Sequence, residues 1–105
     1  MSSPLTGKQR RHLRTLAHDL KPVVQIGNSG VTSGVLAEIG RALETHELIK
    51  VRLGSECPIA PDEAVAPIES AARAQVAQVI GRTLVVYRRR KKDPKIVLPK
   101  ASTKK

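Results

Sequence analysis

The residues with the clearest chemical potential lie in a short loop, Gly27-Asn28-Ser29-Gly30, which is followed closely by Thr32. A glycine at each end allows positive φ and close approach of another backbone, because neither glycine carries a Cβ atom. Thr32 or Ser33 suits the N-cap of a following helix, whose amide groups and positive dipole end would lie beside the loop. The combination predicts an anion site that suits a phosphate. A lone G-x-x-G is a weak signal, and a plain turn between a strand and a helix explains it equally well.

Other side chains that often carry catalysis or bind metals show no productive spacing. Glu38, Glu44 and Glu47 lie on or beside a predicted helix and suit solvated charge. The three histidines and Cys57 match no zinc pattern, and a thiol outside a C-x-x-C context is predicted to be inert. The phosphate-loop and dinucleotide-binding motifs are also missing from the sequence. We therefore predict a protein without enzymatic activity, metal ion or cofactor.

Seven elements are predicted to position the loop, in the order α-β-α-β-α-β-β. A capping box at Thr6 and Gln9 starts the first helix, and apolar residues at helical or alternating spacing define the other elements. Pro67 removes a helix hydrogen bond, so the third helix is predicted to kink at Pro67 or to start there. The predicted bounds are Gly7–His18, Thr32–Thr45 and Asp62–Ala74 for helices, and Val23–Ile26, Leu48–Leu53, Val76–Ile80 and Thr83–Tyr87 for strands.

Alternating helices and strands closed by a hairpin predict a small α/β fold, a two-layer sandwich with a mixed four-stranded sheet. Gly81-Arg82 is predicted to form the two-residue hairpin turn. In the second strand, Lys50 and Arg52 alternate with apolar residues, which predicts one buried face and one basic face. The predicted domain covers residues 5–99 and includes a short edge strand at 95–98, and residues 100–105 are predicted to form a disordered basic tail.

The charge is strongly positive and is concentrated at the two ends of the chain. The 105 residues carry 19 Lys and Arg against nine acids, with net charges of +4 in residues 1–21, −2 in 22–87 and +8 in 88–105. Such an excess favours a polyanion, either nucleic acid or an acidic membrane surface. The membrane is disfavoured, because no apolar run approaches the ~20 residues of a spanning helix and the first helix lacks aromatic anchors. With a single cysteine and no signal peptide, a cytoplasmic location is predicted.

The shortage of aromatic residues bears on how a nucleic acid would be bound. Tyr87 is the only aromatic residue, whereas sheets that stack bases use two or three aromatics on adjacent strands. Binding is therefore predicted to rest on phosphate contacts and backbone geometry, in the manner of the G-x-x-G loop of KH domains. Sequence preference should be modest.

Several segments in the same order resemble one family. These are LTGKQRRHLRTLAH, KPVVQIGNSGVT, HELIKV, QVIGRTLVVYRR and PKIVLP, which together span about Leu5 to Pro99. They resemble the CRM domain, named for chloroplast RNA splicing and ribosome maturation, in its stand-alone bacterial YhbY-like form. The resemblance implies a fold similar to the C-terminal domain of translation initiation factor three. It also implies RNA binding through the G-x-x-G loop and association with precursors of the large ribosomal subunit.

The resemblance places the loop contact at Gly27, Asn28, Ser29 and Gly30, with Thr32 at the start of the helix. This loop differs from the family pattern, because Asn28 and Ser29 are neutral where a Lys or Arg is common. Loop affinity is therefore expected to depend more on backbone amides and on neighbouring positive charge. The further contacts predicted from charge alone are Lys8, Arg11, Arg14, Lys50, Arg52, Arg88 and Arg89.

The leading hypothesis is a non-catalytic, monomeric RNA-binding protein that binds ribosomal RNA and assists large-subunit assembly. One alternative is a DNA-binding or transcription-associated module that uses the same positive charge. Another is a protein-interaction domain that docks on ribosomal proteins, with the basic ends serving only solubility. Competition with duplex DNA and treatment with nuclease separate these alternatives.

Overall fold

The computed structural model describes residues 5–90 and Ile96. The helices are α1 (Gly7–Ala17), α2 (Ser33–His46) and α3 (Pro61–Ala72), and the strands are β1 (Pro22–Ile26), β2 (Leu48–Leu53), β3 (Gln75–Ile80) and β4 (Thr83–Tyr87). The sheet order is β1-β2-β4-β3, with β1 parallel to β2 and the other two pairs antiparallel. The predicted α/β class, element order and mixed four-stranded sheet are thereby confirmed.

The helices divide between the two faces of the sheet. Residues of α2 and α3 pack with alternate residues of β2 and β4, including Ile49, Val51 and Leu84, in the larger core cluster. Residues of α1 pack on the opposite face, against Val85 and Tyr87 among others. The first helix thus adds a partial third layer to the predicted sandwich. The predicted two-faced character of β2 is confirmed, because Lys50 and Arg52 lie on the α1 side.

The apolar stripe of α1 is narrower than its sequence suggests. Leu13 and Ala17 are buried at 0% and 1% exposure, whereas Leu16 and Leu20 remain 42% and 38% exposed. Of the four apolar residues whose spacing in the sequence suggests one stripe, only two therefore pack inward. Leu20 does not pack inward because α1 ends at Ala17, so Leu20 is not part of the helical face. The predicted capping box is confirmed, since Thr6 and Gln9 exchange side-chain hydrogen bonds with each other's main-chain amides, each of 3.1 Å.

The third helix begins earlier than predicted. Pro61 is its first residue, and the helix continues through Pro67 to Ala72, so a start at Pro67 is excluded. Proline suits a first helical position because its fixed φ is helical and its missing N–H needs no partner there. Glu63 Oε1 accepts a 2.8 Å hydrogen bond from the Ala60 N–H, which supports the same first turn. Pro61 was the start signal that the sequence interpretation passed over.

None of the helices within residues 5–90 is long and apolar enough to cross a membrane. The predicted edge strand at 95–98 and the predicted tail lie outside the described residues, apart from Ile96, which is not in a strand. The domain boundary at residue 99 therefore stays a prediction.

Candidate functional site

The Gly27–Gly30 loop is a closed turn with an exposed tip. The Gly30 N–H donates a 3.0 Å hydrogen bond to the Gly27 carbonyl oxygen, and Asn28 and Ser29 between them are exposed. Gly30 has a φ of +71°, and a Cβ atom there would lie 3.4 Å from Pro58 Cγ. Of the two loop glycines, only Gly30 has this positive φ. Glycine is thus required at the second position by conformation, and the tip is open to a ligand.

The loop leads directly into the N-terminus of α2. Thr32 is the N-cap, and its hydroxyl accepts a 3.1 Å hydrogen bond from the Val35 N–H. Thr32, Ser33 and Gly34 are all exposed, so the first turn of the helix faces solvent beside the loop tip. A helix N-terminus carries partial positive charge, and an anion beside Asn28 and Ser29 would therefore be stabilised there. The predicted juxtaposition of loop and helix start is present.

Two other turns share this edge of the sheet. The Gly54 N–H donates to the Ile26 carbonyl oxygen at 2.9 Å, which joins the ends of the parallel strands β1 and β2. Arg82, in the β3-β4 hairpin, donates from Nη2 to the Gly54 carbonyl oxygen at 2.6 Å and from Nε to the Leu53 carbonyl oxygen at 3.2 Å. Arg82 thus adds a cation near the loop that the sequence interpretation missed. No local sequence signal places it there, because its position depends on β4 lying antiparallel beside β2, which brings the hairpin turn to this edge.

One acid partly offsets this positive character. A Cβ atom on Gly27 would lie 3.7 Å from Glu56 Oε2, and one on Gly54 would clash with the same carboxylate at 2.6 Å. The carboxylate therefore lies against the base of the loop. An anion can therefore approach the loop from its tip and from the start of α2, but it would be repelled at the base of the loop.

Five of the predicted basic residues lie on one side of the sheet, which we call the α1-side basic surface. Arg52 is exposed and is paired with Gln25, two residues before the loop. Lys50 is half-buried, and its Nζ donates to the His18 carbonyl oxygen at the end of α1 at 3.5 Å. The other members are exposed positions of α1, so the surface consists of Lys8, Arg11, Arg14, Lys50 and Arg52.

Arg88 and Arg89 are not brought to the loop. They follow Tyr87, which pairs with Leu48 at the first residue of β2, whereas the loop lies beyond the last residue of β2. A six-residue strand is about 17 Å long, so the two regions lie at opposite ends of the sheet. The structure therefore separates the predicted contacts into two groups.

The guanidinium of Arg88 forms hydrogen bonds within the protein and does not point freely into solvent. It donates to the Ala72 carbonyl oxygen at 2.7 Å, to the Gly40 carbonyl oxygen at 3.1 Å and to Glu44 Oε1 at 3.1 Å. These bonds join the end of β4 to both α2 and α3. Arg89 beside it is exposed and is the better placed of the two for an external ligand.

Sequence interpretation missed the structural importance of Glu47. This residue is fully buried, and its carboxylate oxygens accept hydrogen bonds from the Arg90 N–H at 3.2 Å and the Ile96 N–H at 2.9 Å. Its partners lie 43 and 49 residues away in sequence, so local spacing could not reveal them.

Across the described chain, no three His, Cys, Asp or Glu residues are grouped so as to hold a metal ion.

Tyr87 gives a pH-dependent signal close to Glu47. Burial raises the pKa of its phenol above the ordinary 10.0, the Glu47 charge raises it further, and Arg89 partly opposes the shift. A raised native pKa leaves stability intact below pH 10 and reduces it as pH rises above that value. We expect the tyrosinate absorbance of the native protein to titrate with a midpoint above that of the urea-unfolded chain. Tyr87 is the only aromatic residue, so the signal is unambiguous, and coincident midpoints would contradict the assignment.

The geometry defines a small α/β domain with an exposed glycine loop at one sheet edge and basic residues across one face. A model of the CRS1 / YhbY (CRM) domain matches residues 5–88, and the chain belongs to this family. It is 40% identical over 95 residues to the Probable RNA-binding protein YqeI of Bacillus subtilis, an alignment that covers 90% of this chain and 99% of that protein. It is 43% identical over 96 residues to a protein of Haemophilus influenzae named RNA-binding protein, covering 91% and 96% of the two chains.

A solved structure supports the same assignment. The solution structure of the hypothetical protein SAV1595 from Staphylococcus aureus superposes with a TM-score of 0.75 at 39% identity. The match covers 90% of this chain and 99% of that one. The family resemblance inferred from sequence motifs is confirmed.

Proposed function

We propose that this protein is a non-catalytic RNA-binding protein that acts as a monomer on ribosomal RNA during assembly of the large subunit. The observation that carries the proposal is the exposed Asn28-Ser29 tip beside the open first turn of α2, in a chain of the CRM family. The second glycine of the turn has positive φ, and the hydrogen bond from the Gly30 N–H to the Gly27 carbonyl oxygen closes the turn below this tip. A phosphate approaching the tip meets a helix N-terminus and no bulky side chain.

The α1-side basic surface extends the contact. Arg52 lies near the loop, and the exposed lysine and arginines of α1 continue the positive charge on the same side of the sheet. Successive phosphates of one RNA strand would contact the loop first and then this surface. Arg89 would serve a second contact at the far end, while Arg88 holds the fold together.

Salt dependence tests the electrostatic part of the proposal. If about five phosphates of single-stranded RNA are neutralised, the slope of log K against log salt should be near −3.5. Arg52→Gln should make the slope less negative by about 0.7, since each neutralised phosphate contributes that amount. Arg41→Gln is the matched control, because Arg41 is exposed on α2 on the other face of the sheet. A slope near zero, or equal changes in both variants, contradicts the proposed surface.

The kind of nucleic acid is tested by competition. Unlabelled structured RNA should displace a labelled ribosomal RNA fragment at much lower concentration than duplex DNA does. Equal displacement by both would favour a DNA-binding module. Association with large-subunit precursors that survives nuclease treatment would favour docking on ribosomal proteins.

A further inference from the structure

Glu47 combines two features that are costly unless something compensates for them. Its side chain has 0% exposure, and its main chain has φ 69°, a region that glycine adopts far more easily. A buried carboxylate is tolerated only where hydrogen bonds replace its water. The residue ends α2, and its N–H donates to the Leu43 carbonyl oxygen at 2.9 Å. Glu47 is therefore held at the junction of α2 and β2 with its carboxylate directed into the protein.

The carboxylate holds the segment that follows β4 at two points. The Arg88 N–H donates to the Glu47 carbonyl oxygen at 3.0 Å, and the Arg90 N–H donates to Oε2. The Ile96 N–H donates to Oε1, and the Ile96 side chain packs against the core cluster beneath α1. A single side chain thus binds the main chain at Arg90, within a cationic stretch of the sequence, and at Ile96, just after it. By sequence, positions 88–95 hold six Lys and Arg against one Asp.

We propose that Glu47 is a positioning residue for RNA binding, and this inference rests on the proposed function. Its carboxylate fixes the main chain at Arg90 and Ile96, so that the exposed Arg89 is held in position for phosphates at the far end of the sheet. Preorganised cations bind a polyanion more tightly than cations on a free segment, because less conformational freedom is lost on binding.

The proposal predicts an effect of unusual sign. Removing a negative charge from a protein normally strengthens its binding to RNA. Glu47→Gln should instead weaken RNA binding by about five-fold at moderate salt. The Gln amide nitrogen is a donor, so it cannot accept from the main-chain N–H that it faces, and the anchoring of the chain near Arg89 is weakened. Glu38→Gln makes the same charge change at an exposed position of α2 and should leave affinity equal or slightly higher. Equal or tighter RNA binding by Glu47→Gln would overturn the proposal.

A second readout does not depend on RNA. Trypsin should cleave after Arg89 and Arg90 several-fold faster in Glu47→Gln than in wild type or Glu38→Gln, with circular dichroism confirming that all three fold. If Glu47→Gln does not fold, amide exchange in the wild-type protein decides the question. The Arg90 and Ile96 amides should exchange much more slowly than in an unfolded chain, and unprotected exchange would overturn the positioning role. Failure of the wild-type protein to bind any RNA would count against the proposed function. The rates of tryptic cleavage and amide exchange test the anchoring by Glu47 independently of RNA binding.

Discussion

Replacing Asn28 and Ser29 together by aspartate should lower RNA affinity roughly 30-fold. Each new carboxylate near a phosphate costs about 1 kcal/mol at high dielectric, and about 1.4 kcal/mol corresponds to a ten-fold change in affinity. Both side chains are exposed at the tip of the turn, and neither glycine is altered. The substitution therefore reverses the electrostatics of the loop while its conformation is kept. Affinity for a ribosomal RNA fragment, measured at fixed salt, gives the direct test.

The matched control for this experiment places two aspartates at Ser70 and Ala71. Both residues are exposed near the end of α3, at the opposite end of the sheet from the loop, and the net charge changes by the same amount. These positions lie at the end of the sheet that also carries Arg89, so the control measures general charge repulsion together with any effect on that second contact. Its loss of affinity should be several-fold smaller than that of the loop variant. Equal losses in both double variants would mean that the loop is a connecting turn and that net charge governs binding.

Gradient sedimentation of lysates extends the loop test to assembly. Tagged wild type and the Ser70, Ala71 control should travel with large-subunit precursors, whereas the loop variant should stay at the top of the gradient. Failure of wild type to co-sediment would contradict the ribosomal part of the proposed function. Co-sedimentation of all three proteins would assign the association to the basic ends or to a protein partner.

Replacing Arg88 by alanine should lower the free energy of unfolding by about 2–3 kcal/mol, because it leaves two carbonyl oxygens without their charged donor. These oxygens belong to Ala72 at the end of α3 and Gly40 in α2. The ion pair with Glu44 adds little, since the Glu44 side chain is 70% exposed and solvent screens the pair. The stabilising effect of Arg88 thus comes from joining two helices to the last strand.

Urea denaturation measures this effect, and Arg89→Ala provides the matched control. Arg89 is the next residue and carries the same side chain, but it is exposed. Its removal should change stability by less than about 0.5 kcal/mol, as is usual for surface substitutions. RNA binding should show the reverse order, with the larger loss of affinity in Arg89→Ala after correction for the unfolded fraction. Equal stability of the two variants would contradict the assigned role of Arg88.

Much of the fold could be predicted from the sequence, because its signals are local. The alternation of Ile49, Val51 and Leu53 with basic residues predicts the two faces of β2, and Thr6 with Gln9 predicts the start of α1. The G-x-x-G spacing and Thr32 predict a turn that leads into a helix. Each of these patterns involves residues within a few positions of one another, where backbone sterics and periodicity act directly. The motifs also sufficed to identify the family.

The tertiary structure alone decided which charged residues face a ligand and which serve the protein itself. Arg88 and Arg89 are indistinguishable as adjacent arginines, yet pairing of β4 with β2 directs only the first toward Gly40 and Ala72. Glu47 has the sequence character of a solvated acid, but its carboxylate is buried and accepts hydrogen bonds from main-chain amides more than 40 residues later. Such roles depend on sheet order and on which face each helix covers. Those features come from the packing of distant segments, and no short stretch of sequence records them.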